Sequence, residues 1–347
     1  MEKQSWGNLI SKSVKNIEEL SKQIDLTEEE NIQISDKLDV RITPYYIDLI
    51  KKYPILRRTV VPTLNEFKIS DDESVDPLDE DEYKKSECVI HKYPDRCLFL
   101  ITNFCSTNCR YCTRTRIFDK SGHTTGFSKK DIDKGIDYIK NNTNIRDVIL
   151  SGGDPLTLNN NKLEYILNNI RLIPHVEIIR IGTKVPIVLP SRIDDDLVNM
   201  LKKYHPLYMS LHFTHPLEIT KECSDACNKL SNVGIVLRSQ TVLLKDINDN
   251  VNIMKELMHK LLTIRVSPYY IYYPDYIIGT SHFRPSIDTA INIIKELRQS
   301  TSGYAVPTLI FDSKYGKIAV GPENIIKNNK KIIRLQSNNG EILELKK

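Results

Sequence analysis

The chain has 347 residues, of which 40% are hydrophobic and 27% are charged, and this is the composition of an ordinary globular protein. Its net charge is only +4, because 49 basic residues stand against 45 acidic ones, so the charge does not indicate a nucleic-acid partner. The N-terminus has no apolar signal core, and no apolar run is long enough to span a membrane. The seven cysteines, an odd number, argue against a secreted disulfide framework, and we expect a cytoplasmic protein.

Residues 1–90 are predicted to form a polar, mostly helical N-terminal extension. A capped helix is expected to begin at Thr27, where three glutamates follow, and a second helix is expected over residues 42–50 with Pro44 in its first turn. The stretch 70–87 is acidic and poor in apolar residues. It predicts an exposed linker on the outside of the molecule, without a chemical role.

Residues 91–300 alternate short apolar runs with helical patterns. Strands are predicted at 97–101, 147–150, 176–181, 207–213, 235–244 and 266–273, and helices at 128–140, 162–173, 194–203, 218–233, 251–262 and 287–298. Each strand is followed by a crossover, which predicts parallel strands in an α/β fold. Six units are fewer than the eight of a closed barrel, so we expect a partial (β/α)6 TIM-like barrel, open on one side, with its chemistry at the carboxyl ends of the strands.

Residues 301–347 are predicted to form a small C-terminal extension of short strands and turns. Asn338-Asn-Gly340 is typical of a hairpin turn, and it separates two apolar runs at 332–335 and 342–345. An apolar run at 305–311 leads into the segment 312–317, which contains Lys314 and Lys317.

Three cysteines follow the first predicted strand at a fixed spacing, Cys105-x3-Cys109-x2-Cys112. Four-cysteine metal sites fill every position with protein ligands, whereas three thiolates on a 4Fe–4S cube leave one iron open. That iron can bind the amine and carboxylate of S-adenosylmethionine. A zinc loop or three incidental cysteines are the alternatives. Arg110, Arg114 and Arg116 make the loop basic, which favours the thiolate form and suits an anionic substrate.

Other polar residues follow later strands, where a cofactor in the barrel mouth would lie. Small residues at the turn after the second strand let backbone groups approach a ligand, although a tight turn uses the same residue types. The predicted S-adenosylmethionine contacts are Ser151, Gly152, Gly153 and Asp154, and His212 and Gln240 are predicted contacts for a cofactor in the barrel mouth. A lone histidine such as His212 is equally often a structural group.

The remaining candidates describe a site for a basic amino acid and a phosphate. Arg96 suits a phosphate, with an ion pair to a carboxylate such as Asp95 as the alternative. Asp275 and Asp312 would bind a cationic group, and Arg114 would bind a carboxylate at the other end of the ligand. Lys314 or Lys317 could bind pyridoxal phosphate if burial lowers its pKa, although lysines of this kind are more often on the surface.

From about residue 42 to about residue 345, the chain resembles the lysine 2,3-aminomutase family, which is dependent on radical S-adenosylmethionine chemistry and on pyridoxal phosphate. The matching segments are Ile-Thr-Pro-Tyr-Tyr (42–46), His-Lys-Tyr-Pro-Asp-Arg (91–96), the cysteine loop with Cys-Thr-Arg (112–114), Asp-Val-Ile-Leu-Ser-Gly-Gly-Asp (147–154), Pro-His-Val-Glu-Ile-Ile-Arg-Ile-Gly (174–182), Pro-Tyr-Tyr-Ile-Tyr (268–272), His-Phe-Arg (282–284) and Thr-Ser-Gly-Tyr-x-Val-Pro-Thr (301–308).

The resemblance implies an isomerase that moves the α-amino group of L-lysine to Cβ through a pyridoxal phosphate aldimine, giving β-lysine. It implies three cofactors, namely a 4Fe–4S cluster, S-adenosylmethionine and pyridoxal 5′-phosphate, and an external electron donor of the flavodoxin or ferredoxin type. A homo-oligomer is expected. The alternatives are the same shift on arginine or glutamate, or a cluster-bearing protein that has lost the pyridoxal chemistry.

Carried over by position, the resemblance implies a role for each candidate. Cys105, Cys109 and Cys112 would hold the cluster, Arg96 would contact the pyridoxal phosphate, and Arg114 the substrate carboxylate. Asp275 and Asp312 would bind the ε-ammonium, and Lys317 would be the Schiff-base lysine. The family places this lysine at the end of a glycine-rich loop, which is shorter here, so Lys314 competes with Lys317. The sequence given also ends soon after the predicted hairpin, without the cysteine-bearing segment that some members use for subunit contacts.

Overall fold

The computed structural model describes residues 5–30, 38–117, 127–321, 324–337 and 339–346. Its centre is a ten-stranded sheet in which the strands lie side by side in chain order. The strands are β1 (Lys84–Ser86), β2 (Val89–Tyr93), β3 (Arg96–Thr102), β4 (Asp147–Gly152), β5 (Ile178–Thr183), β6 (Leu207–His212), β7 (Val236–Val242), β8 (Ser267–Tyr272), β9 (Thr308–Phe311) and β10 (Ile318–Ala319). Strands β3 to β9 are parallel, whereas β1, β2 and β10 pair antiparallel at the two edges.

Helices connect the parallel strands and follow the predicted positions closely. The helices of the chain are α1 (Trp6–Ser11), α2 (Ile17–Ser21), α3 (Pro44–Lys52), α4 (Lys129–Asn141), α5 (Asn160–Arg171), α6 (Val185–Val188), α7 (Asp195–Leu201), α8 (Lys221–Asn232), α9 (Val251–Thr263) and α10 (Ile287–Ser300). Each long crossover helix begins after a polar residue that accepts a backbone N–H of the first turn; these caps are Ser128, Asn159, Asp194, Thr220, Asn250 and Ser286.

The two faces of the parallel sheet have different environments. Along β4 and β5, buried and half-buried positions alternate, as the period of two in a strand requires. The buried side chains, such as Val148 and Ile181, join one continuous hydrophobic core. The half-buried side chains, such as Ser151 and Arg180, point to the opposite face. That face is the inside of the barrel, and it keeps access to solvent.

The predicted partial barrel is confirmed, with one strand more than expected. The six predicted strands correspond to β3–β8, each within about three residues at either end. β9 was predicted as part of the C-terminal extension, but it pairs parallel with β8 and becomes the seventh parallel strand, because α10 supplies the crossover that brings it there. In the described residues the strand order runs from β1 to β10 without returning, so the barrel stays open.

The N-terminal extension is less uniform than predicted. Thr43 caps α3 and Pro44 is its first residue, as expected. Glu28–Glu30 forms a 3-10 turn after Thr27, and the continuation of that predicted helix lies in 31–37, outside the described residues. β1 and β2 also begin before residue 91, inside the stretch predicted to be helical. The division into 1–90, 91–300 and 301–347 stays a prediction, and the main sheet takes strands from all three segments.

The end of the chain forms a separate three-stranded sheet of β11 (Ile325–Asn328), β12 (Ile332–Gln336) and β13 (Ile342–Lys346). β12 and β13 pair antiparallel, which confirms the predicted hairpin, although Asn338 lies outside the described residues. Among the helices described, none is both long enough and apolar enough to cross a membrane.

Candidate active site

The cysteine loop leaves the carboxyl end of β3 and is held by main-chain hydrogen bonds on both sides. The Asn108 N–H donates to the Arg41 carbonyl at 2.9 Å, and the Arg110 N–H donates to the Thr59 carbonyl at 2.9 Å. Where the loop begins, the Asp154 N–H donates to the Phe104 carbonyl at 2.9 Å. The loop is therefore fixed between the N-terminal extension and the turn after β4.

The three thiols lie together. Burial raises the pKa of Cys105 and Cys109, and it raises that of Cys112 to about 11; each thiol also lies within electrostatic range of at least one of the others. In the part of the chain that the structure describes, no three Cys, His, Asp or Glu side chains converge on a single metal ion. A 4Fe–4S cube presents a different iron to each thiolate, so its ligands need not converge. The arrangement fits the cluster.

The three arginines of the loop do not serve the thiolates in the way predicted. The Arg110 guanidinium pairs with Glu66 at 2.5 Å, and the Arg114 guanidinium pairs with Glu80 at 2.6 Å. Arg116 pairs with Asp76 and with Glu80. The positive charges of the loop are thus balanced by carboxylates of the N-terminal extension, and burial outweighs them at the thiols.

The acidic segment is not the exposed, chemically silent linker that the sequence predicted. Glu80 is buried, and although burial acts to raise its pKa, Arg114 and Arg116 outweigh this and lower it. Glu73 is also buried and pairs with Arg284 at 3.1 Å. The prediction was wrong because the partners of these carboxylates lie far along the chain. The segment forms one wall of the site.

The turn after β4 packs closely against the main chain at the end of β3. Gly152 has φ +110°, and a Cβ there would lie 2.1 Å from the Thr102 carbonyl oxygen; a Cβ on Gly153 would lie 2.2 Å from that of Phe104. These glycines let two strand ends approach each other, which fixes the start of the cysteine loop. Close backbone approach was predicted here, and the structure shows such an approach to the carbonyl groups of Thr102 and Phe104.

The Asp154 carboxylate is hydrogen-bonded to groups within the protein. It accepts the Thr183 hydroxyl at 2.6 Å and the N–H groups of Leu156, Lys184 and Val185 at 3.1, 2.7 and 3.2 Å. Burial raises its pKa, and these four hydrogen bonds oppose the rise. The side chain therefore joins the turns after β4 and β5, and of the four predicted residues at this turn, Ser151 is the one whose side chain faces the inside of the barrel.

The structure places His212 and Gln240 side by side, at paired positions near the ends of β6 and β7. Burial, followed by the charges of Lys184 and Arg114, lowers the pKa of His212 to about 4, so the imidazole is neutral at physiological pH. The Gln240 amide reaches the Tyr272 hydroxyl at 3.5 Å. Both side chains are placed to offer hydrogen bonds to a ligand inside the barrel.

Lys317 lies beside Tyr272, the tyrosine whose hydroxyl the Gln240 amide reaches. Its ammonium donates to a carboxylate oxygen of Asp312 and lies 5.3 Å from the centre of the Tyr272 ring. Burial acts to lower the pKa of Lys317, but Asp312, with Tyr272 and Tyr93, outweighs it and raises the pKa. Lys314, in contrast, is exposed and lies beside Tyr315. Lys317 thus contacts Asp312 directly, whereas Lys314 lines the cleft that also contains Asp275 and Asp312.

Asp275 lies close to this pair. One of its oxygens, Oδ2, accepts the Thr113 hydroxyl at 2.8 Å, and the other, Oδ1, is buried without a hydrogen-bond partner among the described residues. Burial and the negative charge of Asp312 raise its pKa to about 7, against the opposing effects of Thr113, Lys317 and Arg114. An unpartnered oxygen of this kind is suited to accept a hydrogen bond from a bound cation.

Arg96 is placed near Lys317 through Tyr93. The guanidinium stacks on the Tyr93 ring at 3.8 Å and pairs with Asp95 at 2.8 Å, so the predicted ion-pair alternative is present. The Tyr93 hydroxyl in turn accepts the Lys317 N–H at 3.0 Å. The phosphate-binding candidate and the lysine therefore contact the same tyrosine.

A cleft of about 620 Å³ opens beside the two aspartates. It lies between the acidic segment and the last strand, and seven of its lining residues carry carboxylates while two are lysines. The carboxylates are Asp71, Asp72, Asp76, Asp79, Asp275, Asp312 and Glu344. Such a lining attracts cations and repels anions.

Sequence reasoning missed Tyr93, Tyr272 and Glu80. Tyr272 follows Tyr270 at the strand period of two, which places both rings on the inner face of β8, and this signal was available. Tyr93 stands just across a tight turn from Arg96, which was also visible. Glu80 was hidden in an acidic run, where only the excess of arginines in the cysteine loop could have indicated its partner.

The sequence of the chain is similar to those of several known proteins. Residues 99–258 match the family model of the radical SAM superfamily. The chain is 44% identical to L-lysine 2,3-aminomutase of Fusobacterium nucleatum, over 97% of this chain and 81% of that protein. It is 46% identical to L-lysine 2,3-aminomutase of Methanococcus maripaludis (91% and 75%) and 38% identical to glutamate 2,3-aminomutase of Clostridioides difficile (99% and 83%).

These matches confirm the predicted cofactors, a 4Fe–4S cluster, S-adenosylmethionine and pyridoxal phosphate, together with a small-molecule substrate and a source of electrons outside the chain. They extend over nearly the whole sequence and include the cysteine loop, the open barrel and the segment around Lys317. The protein belongs to the lysine 2,3-aminomutase family of radical SAM enzymes.

Proposed function

We propose that this protein moves the α-amino group of L-lysine to Cβ and releases β-lysine. The observation that carries the proposal is the pair of carboxylates, Asp275 and Asp312, beside the ammonium of Lys317. When bound, the cluster with S-adenosylmethionine supplies the radical that removes hydrogen, and pyridoxal phosphate supplies the carbonyl carbon that carries the migrating nitrogen. The chain itself binds, orients and shields these groups.

The two aspartates select the substrate by charge. The Lys317 ammonium pairs with Asp312, while Oδ1 of Asp275 has no hydrogen-bond partner within the described ranges. Lys317 would hold pyridoxal phosphate through Nζ, and its ammonium would then no longer pair with Asp312. The ε-ammonium of lysine then replaces it between the two carboxylates. A glutamate side chain would bring a third negative charge to this point, so the pair argues against the glutamate alternative.

Arg114 is the proposed contact for the substrate carboxylate. Its Nε and Nη2 groups bind Glu80 at 3.2 and 2.6 Å, so the guanidinium is held in one orientation. Nη1 makes no hydrogen bond to a protein group in the described part of the chain. It is the donor that remains for a carboxylate, and Arg114 lies within electrostatic range of both Asp275 and Asp312.

Arg96 and Tyr93 are proposed to hold the phosphate end of pyridoxal phosphate beside Lys317. Stacking on Tyr93 fixes the plane of the Arg96 guanidinium, which prepares it for an oxyanion. Ser151, His212 and Gln240 are proposed as S-adenosylmethionine contacts, along with backbone groups near Gly152 and Gly153. For Asp154 we propose an indirect role, because its carboxylate is already bonded four times.

Cys105, Cys109 and Cys112 are proposed to hold the cluster. The electron that reduces it is proposed to come from a flavodoxin or ferredoxin type protein. We also propose a cytoplasmic homo-oligomer, since the seven cysteines and the family's thiolate-bound cluster suit a reducing compartment.

The test is an anaerobic assay of protein with a reconstituted cluster, S-adenosylmethionine, pyridoxal phosphate and a chemical reductant. Lysine, arginine and glutamate are supplied separately, and products are separated by chromatography and identified by mass. We expect β-lysine from lysine and little or no product from glutamate. Faster conversion of glutamate or arginine, with the cluster loaded, would contradict the proposal.

A further inference from the structure

A buried ammonium lies close to the cysteine loop, within electrostatic range of Cys109. Lys184 follows β5, and its side chain is only 7% exposed. Its Nζ donates to the His212 carbonyl at 3.0 Å, the Thr214 hydroxyl at 3.2 Å and the Glu218 carboxylate at 2.8 Å. An ammonium has three donors, and all three are used, so both the position and the orientation of the charge are fixed.

Glu218 anchors this ammonium. It is fully buried, and Oε1 accepts both Lys184 and the Tyr46 hydroxyl, the latter at 2.7 Å. Oε2 accepts the N–H groups of Thr214 at 2.5 Å and His215 at 3.2 Å. The pair is therefore completely bonded and has no spare capacity for a ligand.

From Lys184 a chain of hydroxyl groups leads to a cluster cysteine. An ammonium can only donate, so the Thr214 oxygen accepts from it and its own O–H is free to donate to Tyr111, 2.8 Å away. The Tyr111 hydroxyl also interacts electrostatically with the thiol of Cys109, which lies two residues earlier in the loop. The Tyr111 ring packs edge-on against Phe283, with centres 6.2 Å apart, which fixes its direction.

We propose that Lys184, Thr214 and Tyr111 form a relay that donates a hydrogen bond to the Cys109 sulfur and thereby raises the reduction potential of the cluster. Reduction adds negative charge to the cluster and its thiolates. A donor that is aimed at one of the sulfurs, and polarised by a fixed positive charge, stabilises the reduced form more than the oxidised form. The inference rests on the proposed role of Cys109 as a cluster ligand, and on nothing else in the proposed function.

Thr214 offers the sharpest test, because two substitutions differ only in the hydroxyl. Thr214→Val removes the hydroxyl and keeps the shape, whereas Thr214→Ser keeps the hydroxyl. Tyr111→Phe removes the last donor, and Tyr138→Phe is the matched control because the Tyr138 hydroxyl bonds His91 instead. Each protein is reconstituted anaerobically, and its cluster is titrated with a chemical reductant and followed by electron paramagnetic resonance, without lysine or pyridoxal phosphate.

At an ambient potential equal to the wild-type midpoint, we expect the ratio of reduced to oxidised cluster to fall about tenfold in Thr214→Val and Tyr111→Phe, which is ~59 mV for a one-electron couple. Thr214→Ser and Tyr138→Phe should keep the wild-type ratio. A wild-type midpoint in both Thr214→Val and Tyr111→Phe would overturn the proposal. Loss of iron from both would also overturn it, since the relay would then serve cluster retention.

The readout separates this inference from the proposed activity. A protein that makes no β-lysine can still show the shift in midpoint, and then the proposed substrate fails while the relay stands. A protein that makes β-lysine with an unchanged midpoint in both relay variants retains the proposed function and loses the relay.

Discussion

Two lysine–carboxylate pairs lie at the opening of the barrel, and they differ in how fully they are bonded. In Lys184–Glu218 every donor of the lysine and both oxygens of the carboxylate have partners, and the side chains are 7% and 0% exposed. In Lys317–Asp312 the lysine side chain is 34% exposed, and Asp312 is the one hydrogen-bond partner of its ammonium among the described residues.

This difference distinguishes a structural ion pair, Lys184–Glu218, from one that can take part in chemistry, Lys317–Asp312. A fully bonded buried pair cannot exchange partners without leaving a charge unpaired, so it fixes the strand ends that it joins. A pair with an unused neighbour, such as Oδ1 of Asp275, can give up one partner and accept another. Chemistry that requires a lysine to change its bonding therefore belongs at Lys317. Four experiments would break or sharpen this contrast.

Replacing Lys317 should have the largest effect. Lys317→Ala removes the amine that binds pyridoxal phosphate, and we expect kcat/KM to fall by about 10³ or more, with loss of the visible absorption band of the bound cofactor. Lys314→Ala is the control and should keep both activity and band, because Lys314 is exposed beside Tyr315. Loss of the band in Lys314→Ala alone would reverse the assignment.

Breaking the other pair should act on stability. Lys184→Met leaves the Glu218 carboxylate buried without its cation, and we expect the free energy of unfolding to fall by about 3–5 kcal/mol in urea denaturation. Lys221→Met removes the lysine of an exposed pair with Asp225 on α8 and should leave the unfolding midpoint unchanged. Equal effects in the two variants would show that burial of the Lys184 pair has no energetic consequence.

Neutralising Asp275 should weaken substrate binding and change its pH dependence. Asp275→Asn removes one charge from the ammonium site, and we expect KM for lysine to rise about 10–100-fold, as for loss of a charged hydrogen bond of ~1.5–3 kcal/mol.

The direction in which lysine binding changes with pH follows from the pKa of Asp275. Burial and Asp312 raise the pKa of Asp275 to about 7, so the carboxylate is protonated below that pH and ionised above it. Binding of the lysine ammonium should strengthen as pH rises from 6 to 8, and Asp275→Asn should lose this limb. The substrate ammonium stays charged throughout, because its own pKa is about 10.4. A profile unchanged in the variant would assign the limb to another group.

Loosening Arg114 should have the smallest effect. Glu80→Gln weakens the pair that orients the guanidinium, and we expect KM for lysine to rise about fivefold, or ~1 kcal/mol. Asp81→Asn is the control, because Asp81 is largely exposed and pairs with Arg116 and not with Arg114. A lower KM in Glu80→Gln would mean that Glu80 competes with the substrate carboxylate for Arg114.

Much of the fold could be predicted because its signals are local. Apolar runs of strand length and capped helices alternate along the chain, and strands β3–β8 were located within about three residues. β9 is only four residues long, and its membership of the sheet depends on where α10 returns the chain. That is a property of packing, which no short stretch of sequence carries.

The candidate site also contains residues that could be predicted from the sequence and residues that could not. The cysteine spacing and the positions of Asp275, Asp312 and Lys317 were visible, and the structure brings them together. The partners of the loop arginines were not, because an acidic run resembles a solvated surface until the fold shows that Glu80 is buried. Sequence also could not show that Asp154 is saturated, since three of its four donors come from residues 183–185, far along the chain.

The late position of β9 has a consequence for synthesis of the protein on the ribosome. Lys317 follows the cysteine loop by about two hundred residues, so at typical translation rates of ~5–20 residues per second it emerges ~10–40 s after Cys112. The thiols can therefore bind iron before the pyridoxal phosphate site has formed. A nascent chain stalled before residue 300 should load iron but should not show the visible absorption band of bound pyridoxal phosphate.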